Sequence, residues 1–356
     1  MTNPYRTLPS YAYWSRSVTR LSLPDIDPVT FVPFRIAKTD KVATAGSCFA
    51  QHIARYLKNT GFNYYIAESC HPIASTEIAN RFNYGIYSAR FGNLYTTRQL
   101  LQLFQRAFGE FESDEPEWRI SDTEWLDPFR PQIQPNGFRS LLELNGDREA
   151  HLSKVREMFT DLDVFVFTLG LTECWSSVSD GTVFPVCPGV VGGTYDPLKY
   201  QFNNFNVAEV EADFQKFLEK LRRLNSNSKI ILTVSPVPLV ATAEDRHVVV
   251  STMYSKSVLR VAAENLAKNN VNVAYFPSYE IITGNFTRGE YFSEDLRSVT
   301  EAGVGHVMDK FLKHFTVAES VASVPENISE RDVAEKFGVK MKELVDVNCD
   351  EIKYDL

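Results

Sequence analysis

A serine that follows a glycine at the end of a short β-branched run is the first residue equipped for chemistry. Residues 41–45 (KVATA) are apolar and stop at Gly46. From Phe49 onward Phe49, Ile53 and Leu57, with Ala50 and Ala54 beside them, fall at helical spacing. Ser47 therefore stands at a strand-to-helix turn. Its hydroxyl projects above the sheet, and the N–H groups at the helix start favour developing negative charge. Gly46 permits the tight turn. A serine before a helix also suits a simple N-cap, and the local pattern alone favours that reading. Cys48 offers a thiol, but nothing near it supplies a cation, so a small buried cysteine is the plainer reading.

Three other strand ends carry polar groups. The run at 163–169 (DVFVFTL) has the continuous apolar character of a strand buried on both faces, and it leads into Gly170-Leu171-Thr172-Glu173. The strand at 230–234 stops at Ser235-Pro236-Val237-Pro238 and leads to His247. The last, 272–276 (NVAYF), leads to Phe292-Ser293-Glu294-Asp295. In open parallel sheets the binding crevice lies beyond the carboxyl ends of the strands.

The elements that must position these residues alternate. Residues 62–67 (FNYYIA) read as a second strand, and 97–108, 151–160, 207–224, 251–268 and 300–315 as helices. Residues 110–147 read as loop-rich, and 174–206, dense in Gly, Pro and Asn, as a long insertion. Alternating strands and helices imply a mostly parallel sheet covered on both faces, an α/β fold of three-layer α/β/α sandwich type. Residues 1–40 read as an arm packed on the core through Tyr11, Tyr13 and Trp14. Residues 41–315 form the α/β domain, and 316–356 a C-terminal helical appendage with a Ser cap.

Thr44-Ala45-Gly46-Ser47-Cys48-Phe49-Ala50 contains GSCFA, and here the chain resembles the GSCFA-domain family, which looks like a branch of the SGNH (GDSL-like) hydrolase superfamily. Phe91-Gly92-Asn93-Leu94-Tyr95, Thr233-Val234-Ser235-Pro236-Val237 and Tyr275-Phe276-Pro277-Ser278-Tyr279-Glu280-Ile281 are similar to further segments of that family. The resemblance covers about residues 40–315. It implies a nucleophile at Ser47, with Asn93 or Gly92 at the block that supplies an oxyanion donor. Gly170-Leu171-Thr172-Glu173 falls where a GxND block is expected, with Thr172 in place of the Asn. Asp295-Leu296-Arg297-Ser298 falls where a DxxH block is expected, with Ser298 in place of the His.

The missing imidazole matters, because the base is what makes a serine nucleophilic at neutral pH. Of the six histidines His247 is the best placed, beyond a strand end and beside Glu244 and Asp245. A solvated histidine is an equal reading. His52 follows Ser47 on its helix and is expected to point sideways. His306 is expected on a surface helix, and His71, His151 and His314 in peripheral positions. Alternatively Asp295 acts directly, or the site binds a ligand without acyl chemistry. Arg297 either binds an anionic group or pairs with Glu294. Lys256 either places an amine near the crevice or, as is usual at a helix start, is solvated. Trp118, Trp125, Trp175 and Tyr195 either stack on sugars or fill the core.

Composition narrows the partners. The chain has 356 residues, 44% of them hydrophobic, and a net charge of −8, which argues against general affinity for nucleic acid or anionic membranes. Five cysteines at wide spacing, with no CxxC, suggest neither a disulfide framework nor a zinc cluster. No secretory signal or membrane-length apolar run is present, so the default address is the cytoplasm. No Walker loop, GxGxxG, HExxH or EF-hand loop occurs, so no metal or nucleotide cofactor is expected through those motifs.

The expected function is that of a serine esterase or O-acyltransferase on an acylated carbohydrate, in surface-polysaccharide biosynthesis. The carbohydrate is implied by the resemblance alone. Ser47, His247 and Asp295 are the catalytic set. Gly46, Cys48, Asn93, Gly170, Thr172, Glu173 and Arg297 line the oxyanion or substrate site. No metal takes part, and an acyl donor such as acyl-CoA enters if the reaction is a transfer. The partner is a small-molecule or carbohydrate substrate, with no nucleic acid and no membrane span. The rival readings are a non-catalytic carbohydrate-binding relic of the fold and a glycosyl transferase using Glu173 and Asp295.

Overall fold

The structure is a computed structural model and describes residues 3–47 and 49–317. Four strands build the central sheet: β1 (Val42–Gly46), β2 (Val164–Leu169), β3 (Lys229–Val234) and β4 (Val273–Tyr275). They lie side by side in that order and all run parallel, with Ala45 beside Phe167 and Phe167 beside Leu232. The longer helices are α1 (Ala50–Asn59), α2 (Thr97–Ala107), α3 (Leu141–Asp161), α4 (Val207–Leu224), α5 (Val248–Asn269) and α6 (Glu301–Phe315).

Successive strand residues face opposite sides of a sheet, and here each side has its own core. Ala43, Ala45, Phe165, Phe167, Leu169, Ile230, Leu232 and Val234 join residues of α2, α3, α4 and α5. Val42, Val164, Val166 and Ile231 join residues of α1, of the short helix Ser278–Thr283 and of α6. This is the three-layer α/β/α arrangement. It explains the unbroken apolar letters of β2, all six residues of which are buried.

Local chemistry fixes the helix ends. Thr96 and Gln99 form a reciprocal capping box at the start of α2, and Asn206 and Glu209 form another at α4. Val210, Phe214, Phe217, Leu218 and Leu221 make the buried stripe of α4. α3 begins at Leu141 under a Ser140 cap, ten residues before the helix read from sequence, because its first half is mostly exposed and shows little periodicity.

Three expectations are corrected. Residues 62–67 do not form a strand: one parallel bridge joins Tyr64 to Val42, and then the Ser88 hydroxyl, not a neighbouring strand, accepts from the Thr44 N–H. The insertion at 174–206 carries a three-stranded antiparallel sheet of Glu173–Ser177, Val183–Phe184 and Tyr200–Asn204. It packs with Trp118, which is core, and with the hairpin Trp118–Ser121 and Glu124–Leu126. The N-terminal arm is not held by Tyr11 and Trp14, which are 61% and 59% exposed. It is held by buried Ile26 and Ile36 and by polar bonds to α6: His306 Nε2 with the Ile26 carbonyl, Lys310 Nζ to the Pro24 carbonyl, and His314 Nε2 with Asp27. The appendage read at 316–356 lies, beyond Val317, outside the described residues. Among the described residues no helix is long and apolar enough to cross a membrane.

Candidate functional site

After β1 the chain runs out to touch that strand's outer edge at Tyr64, then returns to enter β2 on its other side. The connections thus part between β1 and β2, and open α/β sheets place their binding crevice at such a switch point. Ser47 and Gly170 follow the two strand ends there.

Gly46 is fixed by its surroundings. Its φ is +132°, and a Cβ would stand 2.3 Å from the Thr168 carbonyl oxygen. The backbone of β1 therefore turns hard against β2, and the Ser47 N–H donates to that same carbonyl at 3.2 Å. Ser47 is 3% exposed and its hydroxyl has no hydrogen-bond partner. The N-cap of α1 is Phe49, with no side-chain cap bond, so the serine caps nothing. The capping explanation for Ser47 is removed. Cys48 lies outside the described residues.

Gly170 faces the serine. A Cβ on it would lie 3.0 Å from Ser47 Cβ and 3.2 Å from the Tyr95 ring, so only glycine fits without movement. The Gly170 and Leu171 N–H groups both donate to the Tyr95 carbonyl at 3.0 Å. The Gly170 carbonyl accepts from Lys256 Nζ at 2.7 Å. Lys256 is 1% exposed, which overturns its reading as a solvated lysine. The reason is a helix boundary. α5 starts at Val248 rather than 251, so Lys256 sits two turns in, on the buried face with Ser251, Ser255 and Leu259. The small serines let the helix approach the strand ends, and Ser255 Oγ accepts from the Thr172 N–H at 3.1 Å.

Asn93 joins from the other side. The Leu94 N–H donates to the Gly46 carbonyl at 2.9 Å, which ties this loop to the end of β1. Asn93 is 2% exposed, and its Oδ1 accepts from Gln51 Nε2 at 3.4 Å. Tyr87 OH, 3.5 Å from the same oxygen, completes the hold on the amide.

The other expected residues are placed differently. Thr172 is fully buried, and its hydroxyl donates to Asn204 Oδ1 at 2.7 Å while its N–H is engaged by Ser255. It is a scaffold residue rather than an oxyanion donor. Glu173 accepts from Thr242 Oγ1 at 2.8 Å, and burial raises its pKa. His247 is exposed and is itself the N-cap of α5, Nδ1 accepting from the Val249 N–H at 3.2 Å. Asp295 accepts from Ser298 Oγ at 2.5 Å and from the Arg297 and Ser298 N–H groups, bonds that favour its ionised form. Ser298, at the expected histidine position, thus closes on its own aspartate. Leu296 between them holds a left-handed φ of +53°. Arg297 Nε donates to the Pro238 carbonyl at 3.2 Å. Neither His247, Asp295 nor Lys256 is hydrogen-bonded to Ser47.

Three further histidines are buried in structural positions. His52 is buried against Phe49, with ring centroids 5.5 Å apart, and burial followed by the Arg55 charge pulls its pKa down to about 4. His306 is not on a surface but 6% exposed, between Tyr291 OH and the Ile26 carbonyl. His151 is not peripheral but 2% exposed, 2.7 Å from Glu68.

Sequence reading thus left Lys256 open between the crevice and solvent, and it missed Gln51. The signal for the first was Ser251, Ser255 and Leu259 at four-residue spacing, which marks one helix face. Among the described residues no three His, Cys, Asp or Glu side chains gather as metal ligands would. No curated protein matches the chain. Residues 41–311 match the GSCFA family, a span that includes β1 to β4 and every residue of the crevice. The chain belongs to the GSCFA family.

Proposed function

We propose that the crevice carries out ester chemistry on an acylated carbohydrate, by hydrolysis or transfer of an O-acyl group, with Ser47 as nucleophile and Lys256 as the base. One observation carries the reading: a serine with a buried, unpartnered hydroxyl packs its Cβ against Gly170, and the carbonyl of Gly170 holds a buried amine. Lysine amines serve as general bases in their neutral form. In the proposed step Ser47 Oγ attacks the acyl carbonyl carbon and its proton passes to Lys256 Nζ. The bond to the leaving sugar oxygen breaks, and that oxygen takes the proton from Nζ. Water or an acceptor hydroxyl then attacks the acyl-serine and gives its proton to the amine, and Ser47 recovers it on release. The Asn93 amide supplies an oxyanion donor. The Ser47 and Gly170 N–H groups do not, being engaged with carbonyls. Such SGNH-like chemistry, and a place in surface-polysaccharide biosynthesis, come with the family resemblance.

Reaction with a fluorophosphonate probe and with an aryl acetate tests the reading. Wild-type protein should label and give an acyl-enzyme burst, and Ser47→Ala should do neither. Equal reactivity of the two proteins removes Ser47 as nucleophile.

A second reading is a carbohydrate-binding protein without turnover. It is favoured by the closed Asp295–Ser298 pair and by the burial of Ser47, which an acyl group reaches only after neighbouring side chains move. Saccharide binding with no labelling would select it.

A further inference from the structure

A cleft is lined by Tyr87, Gly92, Asn93, Phe129, Arg130 and Gln132. It has about 10 Å³, room for about one water-sized group, and is partly open to solvent. Two donors at this cleft lack acceptors: Arg130 Nη1 and Gln132 Nε2 are both buried without a hydrogen-bond partner. Arg130 is 3% exposed, and a donor left unmet at such depth is costly.

The charge behind the cleft points the same way. Arg130 Nε and Nη2 are held by Asp127 and Asp147 at 2.8 and 2.5 Å. Arg90 pairs with Glu68 and Asp147, and Arg148 with Asp127. Arg106 stacks over the Phe129 ring at 3.5 Å and lies close enough to feel Asp127. Four guanidiniums thus face three carboxylates. His151, in the same cluster, is kept neutral at pH 7, chiefly by burial and the Arg130 charge. One positive charge is left over in a place largely out of water.

We propose that the Arg130–Gln132 cleft is a subsite for a carboxylate of the substrate, one oxygen entering between Arg130 Nη1 and Gln132 Nε2. A planar, acceptor-only group matches two N–H donors and one surplus cation, and a space of this size suits a single oxygen. The substrate class becomes a uronic-acid-type or otherwise carboxylated saccharide. Its saccharide part rests on the reading above, while the carboxylate rests on the cleft alone.

Thermal denaturation and calorimetric titration of the full chain with D-glucuronate, D-glucose and glucose 6-phosphate test it. Glucuronate should bind at least ten-fold more tightly than glucose. Gln132→Glu, which places the protein's own carboxylate at the subsite, should abolish that preference while the circular dichroism stays that of the parent. Arg130→Lys should weaken it, but Arg130 is also structural, so the Gln132 variant carries the decision. Equal binding of glucuronate and glucose, or an unchanged preference in Gln132→Glu, overturns the proposal. Tighter binding of glucose 6-phosphate overturns the carboxylate assignment. The titration is repeated on Ser47→Ala, where the preference should persist. Glucuronate binding without fluorophosphonate labelling leaves the subsite standing and removes the ester chemistry, and labelling without glucuronate preference does the reverse.

Discussion

Lys256 Nζ donates to the carbonyl of Gly170 at 2.7 Å, so a helix in the second half of the domain is tied to the strand end that faces Ser47. The amine is held by a backbone atom whose position β2 dictates.

Lys256→Met keeps most of the stem and removes the amine. The aryl acetate burst should slow by roughly 10²–10⁴-fold, the usual contribution of a general base. Lys256→Arg keeps the charge and a donor for Gly170 but cannot accept a proton at neutral pH. Rates measured from pH 6 to 9 should therefore stay low in both variants. Recovery in Lys256→Arg would show that the residue only positions Gly170.

Two glycine substitutions should separate fold from site. Gly46→Ala meets the Thr168 carbonyl at 2.3 Å in a left-handed conformation, and the loss in urea unfolding should be about 3 kcal/mol or more. Gly170→Ala meets Ser47 and Tyr95 at 3.0–3.2 Å, so a smaller loss, about 1–3 kcal/mol, should accompany a clear drop in Ser47 labelling. Equal labelling in Gly170→Ala and the parent would mean that Ser47 reacts from another position.

Stability should depend on pH through His52. Burial, then the Arg55 charge, lowers its pKa from 6.5 to about 4 in the folded chain. Between those values the unfolded chain binds the extra proton, so the contribution is complete above pH 6.5 and is lost as pH falls towards 4. The loss is about 3 kcal/mol by linkage. Urea midpoints measured at pH 7 and pH 4.5 should fall for the parent and fall less for His52→Gln. Glu68 titrates near 2 and stays outside this window: its burial is outweighed by the His151 hydrogen bond and nearby charges.

The arginine cluster should be fragile when one carboxylate is removed. Asp127 is 1% exposed and serves Arg130 and Arg148. Asp127→Asn leaves guanidinium charge buried without its partner, and calorimetry should show a loss of about 3–5 kcal/mol. A change below 1 kcal/mol would mean that the cluster is solvated.

The sheet was legible where physics leaves few choices. β2 and β3 are buried on both faces and read as unbroken apolar runs, and α4 shows its stripe because one side meets water. Residues 62–67 have strand composition, but a strand needs a neighbour along its length, and beyond Tyr64 that neighbour is a Ser88 hydroxyl. In 174–206 the Gly and Pro that build the turns hide three short strands whose pairing is not local. Ser47 and Asn93 were legible from their segments. Lys256 was left open, because a helix starting at 251 puts it near a solvated end, whereas from Val248 it lies two turns in on the buried face. His247 marked that start. A ring nitrogen that accepts a backbone N–H makes the residue a cap, and in sequence a cap looks like a candidate base.

β4 has only three residues, and its register with β3 spans Ile230 to Leu232. At the opposite side, β1 has its outer amides partly answered by Asn63 and Ser88. An incoming strand from another molecule therefore finds at one margin a ladder too short to hold it and at the other a ladder already interrupted. Protection from edge-to-edge polymerisation, which many sheets obtain from charged or proline-bearing borders, comes here from brevity and side-chain cover. A sheet with a strand as apolar as β2 can thus stay confined to one molecule.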